Sequence, residues 1–202
     1  MKLYFSPGSC ALATHIALVE SGLKYETEAV DLRSMPHKTA SGVIYTEINP
    51  KGYVPALVLD NGEILTEGQV LLQYVADLAL QKALIPEAGE FARYRVLEWL
   101  SFISTEIHKG FAPMWNPATP QEQKDAAWAK LAMRLAYVDE ALNGKEFLTE
   151  HFSVADAYLF TCLRWTGFFK RPLTDYPNIL KWMERVIARP GVKQAMQEEG
   201  LR

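Results

Sequence analysis

Two residues in this chain combine a reactive type with a setting suited to chemistry. Cys10 ends Pro7-Gly8-Ser9-Cys10, where a short apolar strand, Leu3-Tyr4-Phe5, gives way to a helix closed by Gly22. A thiol there meets the unpaired N–H groups of the first helical turn, whose partial positive charge favours a thiolate. Its pKa is therefore expected to fall below the free value of about 8.5. Without that position, a free cysteine is more often a small buried hydrophobe. His108 lies on a helical segment over 91–109, with Ser101, Ser104 and Thr105 before it at spacings that put all four on one face. Small hydroxyls beside an imidazole suit a wall that donates hydrogen bonds to a ligand. The plainer alternative is an ordinary solvated helix face, and helical spacing alone cannot bring this wall to Cys10.

Three further places have weaker signals. Glu67 and Gly68 open a helix, so the Gly68 N–H stands at its positive end and the Glu67 carboxylate beside it could hold a cation. An amide donor next to a carboxylate matches an α-amino acid head group; simple charge complementarity with the helix dipole is the alternative. Val54-Pro55 enters a strand, and a cis bond there would turn the Val54 backbone outward to pair with an extended peptide, whereas a plain turn proline would not. Ser153-Val154-Ala155-Asp156 and Thr66 with Gln69 are both capping-box patterns, the first of which offers structure and no reactive group. Cys162, in an apolar helical run, is expected in the core.

These residues need a scaffold, and the chain divides by period. Strand and helix patterns alternate over 2–30, followed by a polar stretch to Asn49, a hairpin with strands at 54–59 and 63–65 around Asp60-Asn61-Gly62, and a helix from Glu67 to about Leu80. Thereafter the pattern is helical: Val96, Leu100, Ile103 and Ile107 form one apolar stripe, and further helices are expected over 121–142, 154–168 and 179–189. The reading is an α/β domain over 1–80, a linker over 81–89 and an all-helical domain over 90–202. With 49% hydrophobic and 22% charged residues and a formal net charge of −3, the 202 residues can bury a sizeable core and lack a basic footprint for nucleic acid. Two cysteines without disulfide or metal-ligand spacing suggest a reducing compartment, and no apolar run approaches a membrane span or a signal peptide, so a cytoplasmic location is expected.

Taken together, Pro7-Gly8-Ser9-Cys10, Val54-Pro55 and Thr66-Glu67-Gly68 in a β-α-β-α-β-β-α half, then Glu106-Ile107-His108-Lys109 and Ser153-Val154-Ala155-Asp156 in a helical half, resemble the bacterial beta-class glutathione S-transferases. The likeness runs through Glu199-Gly200-Leu201, and it is carried by the order and spacing of motifs that are individually weak. The resemblance implies a thioredoxin-like N-terminal domain, an all-α C-terminal domain, a homodimer, and a glutathione site in the cleft between the domains. It would set Cys10 near the glutathione sulfur, Val54 on the cysteinyl unit, Glu67 and Gly68 on the γ-glutamyl group, and Thr105, Glu106, Ile107 and His108 around the same thiol, with Ser101 a glutathione contact toward the neighbouring subunit's site. Three departures stand out. His37 followed by Lys38 replaces the family's lysine for the glycine carboxylate, Ala11 follows the cysteine where serine is common, and Ser101 stands where an asparagine reaches toward the neighbouring subunit.

The expected chemistry is attack by a glutathione thiolate, held by the helix end and by donors from Cys10 and His108, on an electrophilic carbon of a small apolar compound, with glutathione as co-substrate and no metal. Cys10 could also exchange disulfides with glutathione. Tyr4, Ser6 and Ser9 are fallback activators, because related classes use a Tyr or Ser near this turn. Phe111, Trp115, Trp165 and Phe169 are candidates for the electrophile pocket, although aromatic side chains at helical spacing are more often core. A non-catalytic carrier or interaction module on the same fold is the competing reading, and it would need neither Glu67 nor Cys10.

Overall fold

The computed structural model describes residues 1–79 and 83–201; the expected helix end at Leu80 and the linker positions Gln81 and Lys82 lie outside them. The chain forms two compact units, one of residues 1–85 with 189–202 and one of residues 86–188. The last stretch of the chain thus belongs to the first unit, whereas periodicity groups it with the helical half.

In the first unit, β1 (Lys2–Phe5), α1 (Ala11–Ser21) and β2 (Glu26–Asp31) make the expected β-α-β start. β3 (Lys38–Thr39), β4 (Ala56–Val58) and β5 (Ile64–Thr66) complete a mixed sheet of order β3-β2-β1-β4-β5. β1 pairs parallel with β2 and antiparallel with β4, and the β4–β5 hairpin sets Ala56 opposite Thr66. Leu3 and Leu57 are fully buried opposite each other, so the β1–β4 register follows from the apolar face. α1 ends because Gly22 adopts φ 72°, a left-handed conformation that costs glycine nothing, and its N–H returns to the Val19 carbonyl. Leu12, Ile16 and Leu18 are wholly buried because α1 packs against β1, α2 (Gly68–Leu78) and α8 (Pro190–Glu198). Each such side chain contributes roughly 1.5–3 kcal/mol. The polar stretch after β2 holds β3 and a short 3-10 turn, Tyr45–Glu47.

The regular elements among the second unit's described residues are all helical: α3 (Phe91–Phe102), α4 (Ala112–Trp115), α5 (Gln121–Ala141), α6 (Val154–Phe168) and α7 (Pro177–Ala188). The stripe of Val96, Leu100, Ile103 and Ile107 is fully buried, as its spacing requires. The segment is not one continuous α-helix, however. After Phe102 it widens into a π-helical turn, Ile103–His108, and then tightens into a 3-10 turn, Lys109–Phe111. A wide turn accommodates one more residue per turn and rotates the residues beyond it, and such turns recur at functional sites.

Candidate functional site

Within the first unit, the sequence-predicted residues converge on the segment 51–55. The Cys10 Sγ donates to the Val54 carbonyl at 3.2 Å. A Cβ built on Gly68 would stand 3.9 Å from Pro55, and one built on Gly52 would stand 4.0 Å from the His37 ring. The Val54–Pro55 peptide is cis. The Val54 carbonyl accepts from the thiol and keeps a second lone pair. Lys51 closes the cluster, its Nζ reaching Glu67 Oε1 at 2.6 Å and Thr66 Oγ1 at 3.0 Å. His37 Nδ1 donates to the Ser34 carbonyl at 2.7 Å and the ring is half-buried, while Lys38 is exposed on β3.

The expectation of an acidic Cys10 is overturned. Its pKa is pushed up to about 11: burial disfavours the thiolate, the Cys10 and Ala11 N–H groups oppose this, and the Glu199 and Glu67 carboxylates add to it. The helix end acts as foreseen but is outweighed, because desolvation in a half-buried turn exceeds a partial charge. The thiol is thus a hydrogen-bond donor, as its bond to Val54 shows. Of the fallback groups, Tyr4 is buried with its ring 5.9 Å from that of Tyr45, and the Ser9 hydroxyl accepts from the Ala11 N–H at 3.3 Å.

A second correction concerns Thr66 and Gln69. No capping box forms there: α2 begins at Gly68, Glu67 is the cap residue with φ 71°, and the Thr66 hydroxyl accepts from Lys51. A non-glycine residue held at such a φ costs about 1–3 kcal/mol, and such strain clusters at ligand clamps.

The turn ahead of Cys10 is braced by residues whose spacing in the sequence does not connect them to it. The Gly8 N–H donates to Glu199 Oε2 at 2.9 Å, and Glu199 Oε1 lies 3.0 Å from Nδ1 of the buried His15, whose Nε2 is 2.7 Å from Glu198 Oε2. Burial alone would lower the His15 pKa, but these carboxylates raise it. A histidine inside an apolar helix gives no hint of this, since its partners lie 183 and 184 residues away.

In the second unit the hydroxyl strip does not form a single wall. Ser101 and Thr105 are exposed, Ser104 and His108 are half-buried, and the Thr105 hydroxyl donates to the Ser101 carbonyl at 3.0 Å. Glu106 is paired with Arg134 at 2.6 Å, and Ile107 is fully buried, so its side chain offers nothing to a ligand. The His108 pKa is lowered to about 4 by burial and by the neighbouring Lys109 charge, which keeps the imidazole neutral. Its Nδ1 lies 2.7 Å from the Tyr158 hydroxyl.

The four aromatic candidates do come together beside His108. Trp165 meets His108 at 5.0 Å and Phe111 at 5.4 Å between ring centroids, and Trp115 meets Trp165 at 5.6 Å and Phe169 at 4.6 Å. Phe111 is wholly buried and Trp165 nearly so, which makes them core supports; Trp115 and Phe169 carry the accessible ring surface. Phe168, stacked on Trp115 at 5.1 Å and 70% exposed, belongs with them, although spacing alone does not single it out. Ser153 and Asp156 form the expected capping box, and Asp156 Oδ1 also accepts from the Leu148 N–H and Trp182 Nε1. Cys162 is buried, as expected. Among the described residues no cluster of metal-ligating side chains occurs, and no helix is long and apolar enough to cross a membrane.

Residues 7–78 match the N-terminal domain family of glutathione S-transferases and residues 102–190 match the C-terminal one. Over the full length of both chains, the sequence is 44% identical to the glutathione S-transferase GstA of Escherichia coli O157:H7. Two solved structures superpose over 100% of both chains. A beta-class glutathione S-transferase of Sphingomonas chungbukensis is 41% identical with a TM-score of 0.96, and a sphingomonad glutathione S-transferase complexed with glutathione is 42% identical with a TM-score of 0.95.

Proposed function

This chain belongs to the glutathione S-transferase family, and from that premise we propose that it joins the sulfur of glutathione to small, mostly apolar electrophiles. The observation that carries the assignment of residues is the convergence of Cys10, Val54, Glu67, Gly68 and His37 on the segment 51–55. Glu67 receives the γ-glutamyl ammonium group and the Gly68 N–H its carboxylate. The Val54 backbone pairs with the cysteinyl unit, and His37 takes the place of the family's lysine near the glycine carboxylate. Lys51, which pairs with Glu67 at 2.6 Å, gives way to the ammonium group; the pair is exposed and costs little to break.

Cys10 acts as a thiol that turns its one S–H from the Val54 carbonyl to the glutathione sulfur, not as a nucleophile. His108 in the second unit is the further donor, supported by Thr105 and the backbone at Glu106 and Ile107, while Ser101 reaches toward the neighbouring subunit's site. Fixed donors lower the pKa of the bound sulfur and stabilise its charge. The thiolate electron pair forms a new S–C bond, and the displaced pair leaves with the halide or stays on the opened epoxide oxygen. Trp115 and Phe169, with Phe168, offer aromatic surface to the electrophile. We further read the protein as cytoplasmic and as a homodimer, the dimer being supported by Phe91, Tyr94, Met133 and Tyr137, large side chains left exposed on α3 and α5.

Retention on immobilised glutathione, followed by product analysis with chlorinated aromatics, epoxides and mixed disulfides, tests the proposal. The protein should be retained and should conjugate at least one electrophile; Glu67→Gln should abolish retention, and His108→Ala should lower conjugation by about 100-fold. Absence of both retention and conjugation would return the fold to a carrier role. With a thiol near 11, only roughly one part in ten thousand of Cys10 is thiolate at pH 7. Any disulfide exchange through Cys10 should therefore rise about tenfold per pH unit between 7 and 10. A plateau below pH 8 would show that the thiol is acidic after all.

A further inference from the structure

His108 ends the wide turn after α3, and Tyr158 lies in the first half of α6. The Tyr158 hydroxyl is 2.7 Å from His108 Nδ1, and the two rings meet edge-on at 90° with centroids 5.8 Å apart. Trp165 closes on the same imidazole from farther along α6. Tyr158 is 3% exposed, so this bond sits in a setting of low polarity where its direction matters. A phenol O–H is a stronger donor than a neutral imidazole N–H, and an imidazole nitrogen is a stronger acceptor than a phenol oxygen, so the bond runs from Tyr158 to Nδ1. We propose that Tyr158 is a positioning residue: by donating to His108 Nδ1 it fixes the imidazole as the Nε2–H tautomer, so that His108 presents a neutral donor and not a base.

With Nδ1 occupied as an acceptor, the ring's one hydrogen must sit on Nε2. A second proton would have to enter Nδ1 against the phenol hydrogen already there, which agrees with an imidazole that stays neutral to about pH 4. For conjugation the consequence is that His108 stabilises a sulfur anion without competing for its proton. The consequence rests on the proposed role of His108, whereas the tautomer rests on the Tyr158 contact alone.

Long-range ¹H–¹⁵N correlation spectra of the full-length protein at pH 7 read the tautomer directly. The His108 Nε2 should carry the protonated-type shift and Nδ1 the unprotonated type. In Tyr158→Phe the two shifts should move toward each other as the tautomers mix, and kcat should fall about tenfold while KM for glutathione stays within about twofold. A protonated Nδ1 in the wild type overturns the proposal, as does an unchanged tautomer in the variant. Should the variant fail to fold, the wild-type spectrum still decides. An Nε2–H tautomer in an enzyme whose His108→Ala variant conjugates normally would sink the role of His108 and leave the positioning by Tyr158 standing.

Discussion

Two capping-box patterns, one in each unit, met opposite fates. Ser153 is extended at φ −133° and ψ 173°, follows a loop and owes nothing to a sheet, so its N–H and hydroxyl both reach Asp156 Oδ2, at 2.9 and 3.1 Å. Thr66 carries the same kind of signal but is the last residue of β5, paired with Ala56, and its hydroxyl is taken by Lys51. The helix start passes to Glu67, in a strained conformation and with no side-chain cap. A cap motif is realised where nothing else claims the residue, and where a strand claims it the next residue carries the turn. In this chain the unsatisfied pattern stands beside the candidate ligand-binding carboxylate, whereas the satisfied one lies in the core.

The contrast can be broken most forcefully at Asp156. Asp156→Ala strands the Leu148 and Ser153 N–H groups and the Trp182 Nε1 in the core, and should cost on the order of 4 kcal/mol in urea unfolding. A loss under about 1 kcal/mol would mean that water replaces the carboxylate. Glu67→Gly should do the reverse: release of the positive φ stabilises the fold by about 1 kcal/mol, while loss of the carboxylate ends retention on glutathione. If stability instead falls, the Glu67 backbone is not strained. Ser153→Ala should remove about 1 kcal/mol, the usual worth of a cap. Thr66→Ala, by contrast, should change stability by less than about 0.5 kcal/mol, because only an exposed contact to Lys51 is lost. Equal effects at Ser153 and Thr66 would erase the distinction.

Much of the scaffold was legible in the chain because it depends on local order. The stripe of Val96, Leu100, Ile103 and Ile107, the Gly22 stop and the Asp60-Asn61-Gly62 hairpin follow from spacing and turn chemistry. So do the candidates themselves: Cys10, Val54, Glu67 and Gly68 are singled out by type and position. What spacing could not show was partnership across long separations. Lys51 and Tyr158 are not singled out by spacing, and only the fold sets them against Glu67 and His108. α8 was hidden for the same reason, since Pro190 signals a break but not a return to α1.

Residue order alone determined which groups could react and on which elements they ride, for helix ends, turns and apolar periods are properties of neighbouring residues. Tertiary structure decided their charge state. Cys10 is a thiol because burial and two distant carboxylates outweigh the helix end, and His108 is neutral because packing removes water from its ring. Protonation depends on solvent access and on charges brought near by folding, neither of which a linear pattern contains.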